Sequence, residues 1–116
     1  MNDHQSQGPL VLINTFTAVD GGLDALAAFQ VAEMQDMSAA ASAHGWLGNE
    51  VYRSHDDTSL IVVTRFRSEL AKDAWAATER FGQHVEDLEP LVRDVTSVPV
   101  TPIAAHGDGR RADHGS

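Results

Sequence analysis

The clearest pattern along the chain is a run of β-branched and apolar residues from Val11 to Ala18, VLINTFTA. The run is closed by the turn-forming residues Asp20-Gly21-Gly22, and it predicts a β-strand at about 9–18. Similar runs, each bounded by turn or breaker residues, predict three further strands at about 49–54, 60–66 and 94–100.

Two other stretches repeat their apolar residues at helical spacing. The first predicts a helix at about 23–43, with Gly45 as its stop signal. The second begins at Ser68 and runs to about Leu91, and we expect Gly82 to kink it or split it in two. Because Trp75 lies off the apolar stripe of this second region, we expect it to cover a sheet edge or a partner subunit.

The resulting order, β-α-β-β-α-β, contains two similar halves, because residues 12–16 resemble residues 62–66 and a helix follows each. Two βαβ halves related in this way give an α+β, ferredoxin-like sandwich, in which a four-stranded antiparallel sheet carries both helices on one face. Successive side chains of a strand point to opposite faces. We therefore expect Leu12, Asn14 and Phe16 to face the helices together.

The opposite face of the predicted sheet is also apolar, since it carries Val11, Ile13, Ile61 and Val63. No further element of the chain is left to cover it. Such a face is typically buried against a second copy, so we expect a homodimer whose sheets pack face to face. Arg65 belongs to the same face and is expected to form a salt bridge across that interface.

Length, net charge and residue content exclude several classes of partner and of functional site. The 116 residues suit one domain, at 9–103, between flexible segments at 1–8 and 104–116. A net charge of −9 argues against nucleic acid and anionic membranes as partners.

The absence of cysteine excludes a disulfide framework and a thiolate nucleophile, and no H-x-x-x-H or H-E-x-x-H spacing points to a metal. A membrane span needs about 20 consecutive apolar residues, and no apolar run approaches that length. Because the chain also lacks a signal-peptide pattern, we expect a cytoplasmic location.

Three polar residues interrupt the apolar faces that should meet in the core. Asn14 is the single amide on its strand face, and a buried amide without partners costs a few kcal/mol. We expect it either to bond neighbouring backbone or to point into a pocket where a ligand meets it. His84, on the second helical stripe, could act as a general base near neutral pH or bond backbone as a core residue. Gln30, on the first helical stripe, is more often a core-edge residue than a ligand contact.

These polar groups would project among apolar walls, an arrangement typical of small-molecule pockets. Trp46 and Tyr52 are expected to flank the pocket mouth, although aromatic residues after a glycine turn usually only pack. The other expected substrate-binding residues are Phe16, Gln30, Met34, Phe66 and Phe81.

Over residues 10–103 the chain resembles the antibiotic biosynthesis monooxygenase family of small dimeric α+β-barrel proteins. Four places carry the resemblance: the strand asparagine in LINTF, the turn Gly45-Trp46-Leu47, the hairpin at 53–57, and the segment ERFGQHVEDL with His84. The resemblance implies a cofactor-free oxygenase of secondary metabolism that converts a polyketide anthrone to a quinone, with molecular oxygen as co-substrate. Asn14 would then bind the enolate or phenolate, and His84 would assist proton transfer.

Phe66 stands where the anthrone oxygenases of this family carry a tryptophan. A polyketide cyclase or another non-redox catalyst on the same fold is therefore the first alternative, because ring closure needs shape and proton transfer but no indole. A haem-binding or haem-degrading protein is the second. A non-catalytic small-molecule binder or dimerisation module is the third.

Overall fold

The computed structural model describes residues 8–107. In this part of the chain four strands and three α-helices follow one another in the order β-α-β-β-α-α-β, with a short 3-10 turn at Glu89–Leu91 before the last strand. The elements are β1 Leu10–Ala18, α1 Leu23–Ala43, β2 Trp46–Arg53, β3 Ser59–Phe66, α2 Glu69–Ala76, α3 Glu79–Leu88 and β4 Val92–Val100. The predicted flexible segments fall mostly on residues 1–7 and 108–116, which lie outside the described range.

The four strands form one antiparallel sheet in the order β2-β3-β1-β4. In the register of β1 with β3, Leu12 pairs with Thr64, Asn14 with Val62, and Phe16 with Leu60. Paired residues of an antiparallel ladder share a face. This confirms the predicted α+β, ferredoxin-like class. All three helices supply side chains to the cavity that Leu12, Asn14 and Phe16 line.

The second helical region breaks at Ala77–Thr78, and the prediction that Gly82 would kink or split it is wrong. The Thr78 hydroxyl caps α3 by accepting a hydrogen bond from the backbone N–H of Phe81 (3.2 Å), and it donates one to the carbonyl of Trp75 (2.8 Å). A side-chain acceptor at this position satisfies an otherwise unpaired donor at the start of a helix. Gly82 lies inside α3, so the capping threonine sets the break.

The break also explains why Trp75 is not at a sheet edge or on an outer surface. Its side chain is only 4% exposed and packs with Met37, Ala41 and Phe66 in one of two core clusters. The predicted apolar stripe requires one continuous helix, whereas α2 and α3 are two helices separated by Ala77 and Thr78. The other core cluster joins Phe16, Leu26, Leu60, Val62 and Leu88.

Gly45 ends α1 as predicted, and its backbone requires glycine for two reasons. Its φ angle is +98°, in the left-handed region that side chains disfavour. A Cβ at this position would lie 2.6 Å from the Cβ of Ala71 on α2. The glycine therefore lets the chain turn from α1 into β2 directly against α2.

The other face of the sheet carries Val11, Ile13, Ile61 and Val63, as the alternation predicts, and each remains partly accessible. On the same face the guanidinium of Arg65 donates to both carboxylate oxygens of Glu50 within this chain, at 2.6 and 2.7 Å. At the edge of the sheet, β4 carries Pro99 opposite Leu12. Every helix in the described part of the chain is too short or too polar to traverse a lipid bilayer.

Candidate active site

A cavity of about 310 Å³ lies between the helices and the Leu12 side of the sheet. This volume is at the lower end of the range for small-molecule pockets, about 300 to 1,000 Å³, which favours a compact ligand. Its wall is mainly apolar, and the polar side chains in it come from all four strands and all three helices. They are Asn14, Gln30, Asn49, Thr64, Lys72, His84 and Ser97.

The structure brings the sequence-predicted site residues together in this cavity, with one exception. Asn14 and His84 both line it, from β1 and α3 respectively. The predicted substrate-binding residues that line it are Phe16, Gln30, Met34, Trp46, Phe66 and Phe81. Their roles in catalysis or binding remain predictions.

Tyr52 is the exception, and its expected place at the cavity mouth is wrong. It pairs with Ile61 on the far face of the sheet, where its side chain is 53% exposed. Trp46 and Tyr52 are six residues apart, so in a regular strand they would share a face. A register shift between Trp46 and Gly48 inserts one residue into β2 and reverses this parity, so only Trp46 faces the cavity.

His84 has a defined orientation in the cavity wall. Its side chain is buried, and its Nδ1 atom lies 2.9 Å from Oε1 of Glu33 on α1. The imidazole stacks on the ring of Phe29, with centroids 5.6 Å apart and planes 12° apart, and the ring of Phe81 lies 6.0 Å away. The sequence left open a backbone-bonded histidine, but the partner of Nδ1 is a carboxylate. Nε2 is therefore the nitrogen left for a ligand.

Glu33 also accepts a hydrogen bond from Arg80, at 3.1 Å on its other oxygen, and Arg80 in turn bonds Asp36 at 2.9 Å. Burial opposes ionisation of Glu33, but the hydrogen bonds from Arg80 and His84 outweigh it and lower the pKa of Glu33 below its ordinary value of 4.5. Glu33 is thus an anion at neutral pH. Its contribution to stability is present above about pH 4.5 and is lost as the pH falls through the lowered pKa.

Two amides of the cavity wall have buried atoms without hydrogen-bond partners among the described residues, Oε1 of Gln30 and Nδ2 of Asn49. Gln30 is only 4% exposed. A buried polar atom without a partner costs about 1 to 3 kcal/mol, and such atoms in native proteins are rare. Polar atoms of this kind in a cavity wall are available to form hydrogen bonds with a ligand or a buried water.

We expect Gln30→Met to raise the free energy of unfolding by about 1 kcal/mol, because it removes the unpartnered amide and keeps an unbranched side chain of similar length. Urea unfolding followed by circular dichroism measures the change. Gln35→Met, at an exposed position of the same helix, is the control and should stay within about 0.5 kcal/mol of the wild type. A clear loss of stability in Gln30→Met would show that this amide already has a partner, such as a buried water.

Sequence reasoning missed Glu33 and Asn49. A strand beginning at Trp46 with a bulge at Gly48 would have placed Asn49 on the helix-facing side, but the strand was predicted to begin only at residue 49. Glu33 could have been found only as the residue three positions after Gln30, on the edge of the same helical stripe. No pattern in the sequence pairs it with His84, which is 51 residues away.

Two arginines outside the cavity are paired at the surface. Arg53 bonds Asp24 and Asp57 at 2.8 and 2.9 Å, and Arg93 bonds Asp20 at 3.1 Å. These pairs surround the start of α1, away from the cavity. Within residues 8–107, no cluster of three histidine, aspartate or glutamate side chains could hold a metal ion.

Similarity to known proteins is found at the level of the fold. No family model matches the chain, and no curated protein matches it. Among solved structures, PA3566 from Pseudomonas aeruginosa is 26% identical, with a TM-score of 0.66 over 85% of this chain and 98% of that chain. SnoaB from Streptomyces nogalater, described as a cofactor-independent oxygenase, is 19% identical, with a TM-score of 0.63 over 87% and 99% of the two chains.

A Caulobacter crescentus protein assigned provisionally to the antibiotic biosynthesis monooxygenases superposes with a TM-score of 0.75, at 13% identity over 89% of this chain and 97% of that chain. The chain therefore has the fold found in antibiotic biosynthesis monooxygenases, and the resemblance seen in the sequence is confirmed at that level. At these identities the similarity establishes the fold, and the activity has to be argued from the cavity.

Proposed function

We propose that the chain is a cytoplasmic, cofactor-independent monooxygenase of secondary metabolism, acting on an electron-rich aromatic compound of the anthrone type. The observation that carries the proposal is the placement of His84 and Asn14 in the wall of one compact apolar cavity, with His84 held by a carboxylate. A neighbour of the same fold, SnoaB, is described as a cofactor-independent oxygenase, which supports this class of reaction.

The substrate itself supplies the electrons in this reaction. Nε2 of His84 removes a proton from the methylene carbon of the anthrone, and the resulting carbanion is delocalised as an enolate. The amide N–H of Asn14 donates a hydrogen bond to the enolate oxygen, where negative charge develops. Molecular oxygen then accepts electrons from the carbanion carbon and adds to that carbon. One oxygen atom becomes the new carbonyl and the other leaves as water, so CH₂ and O₂ give C=O and H₂O.

The apolar walls contribute by excluding water. Phe16, Met34 and Phe66 surround the polar groups without competing for the substrate's hydrogen bonds. In such an environment the hydrogen bond from Asn14 to an oxyanion is stronger than it would be in water. Phe66 supplies surface but no N–H, so we assign it to packing against the ring system of the substrate.

Oxygen uptake with the anthrone dithranol tests the proposal. We expect catalysed consumption of one O₂ for each methylene oxidised, with incorporation of one ¹⁸O atom from labelled oxygen into the product. Turnover of an open-chain polyketide analogue without oxygen uptake would favour the cyclase alternative. A Soret shift on adding haem would favour the haem alternative. A ligand-dependent rise in melting temperature without turnover would favour a non-catalytic binder.

We also propose that a second copy of the chain covers the Val11, Ile13, Ile61 and Val63 face of the sheet. A contiguous apolar face of this kind is typically buried in an interface. Light scattering coupled to size exclusion should give twice the chain mass of 12.5 kDa. Val63→Asp should give the monomer mass, whereas Leu70→Asp, at an exposed position on α2, should leave the dimer intact. A wild-type monomer would contradict this arrangement.

A further inference from the structure

The imidazole of His84 is fixed on three sides. Phe29 stacks on one ring face, Phe81 lies close to the ring, and the Glu33 carboxylate lies 2.9 Å from Nδ1. A neutral imidazole carries one N–H, and an ionised carboxylate can only accept. The proton must therefore reside on Nδ1, which leaves the lone pair on Nε2.

We propose that Glu33 is a positioning residue that selects this tautomer of His84 and so presents Nε2 to the cavity as a base. The kinetic consequence rests on the proposed function, whereas the tautomer does not depend on any substrate. When Nε2 takes a proton from the substrate, the imidazolium forms against the Glu33 carboxylate, which stabilises its charge. Arg80 on α3 bonds the other oxygen of Glu33 and also Asp36 on α1, and Lys72 on α2 lines the same cavity as His84.

The two oxygens of Glu33 have separate partners, and this makes the proposal testable. Oε1 bonds His84 and Oε2 accepts from Arg80. Both partners need an acceptor, but the glutamine introduced by Glu33→Gln has a single oxygen and an NH₂ donor. The guanidinium of Arg80 stays charged and can only donate, so we expect it to keep its hydrogen bond to the glutamine oxygen. The NH₂ group then faces Nδ1, which can accept only by shifting the proton of His84 to Nε2.

The first measurement is the tautomer itself. Nitrogen-15 spectra of histidine-labelled protein, recorded at a pH where the ring is neutral, distinguish a protonated Nδ1 from a protonated Nε2. His84→Gln identifies the signals of this residue. We expect the Nδ1–H form in the wild type and the Nε2–H form in Glu33→Gln. A purely structural role for Glu33 would change the melting temperature but not exchange the two nitrogen signals.

The second measurement is a double-variant experiment. Glu33→Gln should lower kcat about 100-fold while KM stays within about twofold, because the base is lost and the cavity keeps its shape. Arg80→Met leaves both carboxylate oxygens in place, so its kcat should stay within about threefold of the wild type. Combining Arg80→Met with Glu33→Gln frees the glutamine oxygen for His84. This double variant should recover the Nδ1–H tautomer and at least a tenth of the wild-type kcat.

The outcomes separate the two proposals. If Glu33→Gln exchanges the tautomer but the wild type consumes no oxygen with dithranol, the proposed function is rejected and the role of Glu33 is supported. An unchanged tautomer in Glu33→Gln would overturn the role of Glu33, whatever the activity. A double variant with neither the Nδ1–H tautomer nor recovered kcat would overturn it as well, because competition between Arg80 and His84 for one acceptor would then not explain the loss.

Discussion

Asn14→Ala is expected to lower kcat for dithranol oxidation by a factor of about 100 to 1,000, the usual effect of removing one preorganised donor from a developing oxyanion. KM should change much less, because the apolar walls supply most of the binding of the neutral ground state. The measurement is initial oxygen uptake at several substrate concentrations. Asn14 pairs in the sheet with Ser97 and with Val62, which has no side-chain donor.

Two variants at neighbouring places control for shape and folding. Asn14→Asp keeps the size of the side chain but replaces the donor with an acceptor, so it should lose at least as much kcat as Asn14→Ala. Thr15→Ala changes the next residue of β1, on the opposite face, and should retain wild-type kcat. Full activity in Asn14→Ala, with an unchanged circular dichroism spectrum, would remove Asn14 from the mechanism.

His84→Ala is expected to lower kcat by a factor of about 100 to 10,000, the range for loss of a positioned general base. Because the substitution opens space beside Phe29 and Phe81, free imidazole added to the assay should restore part of the rate. The rescue should saturate with imidazole concentration. It should also increase with pH as the neutral form of the added base becomes more abundant.

His44→Ala is the matched control for this experiment. His44 also lies beside an aromatic ring, that of Trp75 at 5.8 Å, but its Nδ1 atom bonds the carbonyl of Ala40, and it is not part of the cavity wall. Its kcat should remain within about twofold of the wild type, and imidazole should have no effect. Wild-type kcat in a folded His84→Ala protein would contradict the role of His84 as base.

Much of the fold and part of the cavity wall follow from residue periodicity alone. The period of two in VLINTFTA places Asn14 on the helix-facing side, and that face became the cavity wall. The bounds of α1 match the prediction because a long apolar stripe ends at a glycine that the backbone requires. These features depend on local residue preferences and on which positions are buried, and both can be read from the sequence.

Features set by a single hydrogen bond or by one inserted residue were not predicted. Thr78 caps α3 and so divides the second helical region into two helices, and Trp75 lies in the core. The bulge before Gly48 reversed the parity that would have joined Tyr52 to Trp46. The pairing of Glu33 with His84 joins two helices and depends on how they pack, which neither helical stripe encodes.

Pro99 bears on how two copies of this sheet can meet. Because proline has no N–H to give to β1, it fits the ladder only where its backbone groups point away from Leu12, toward the open side of β4. An approaching strand would find a missing donor and a rigid ring there. Lateral growth into a wider sheet or a fibril is thereby disfavoured at this edge.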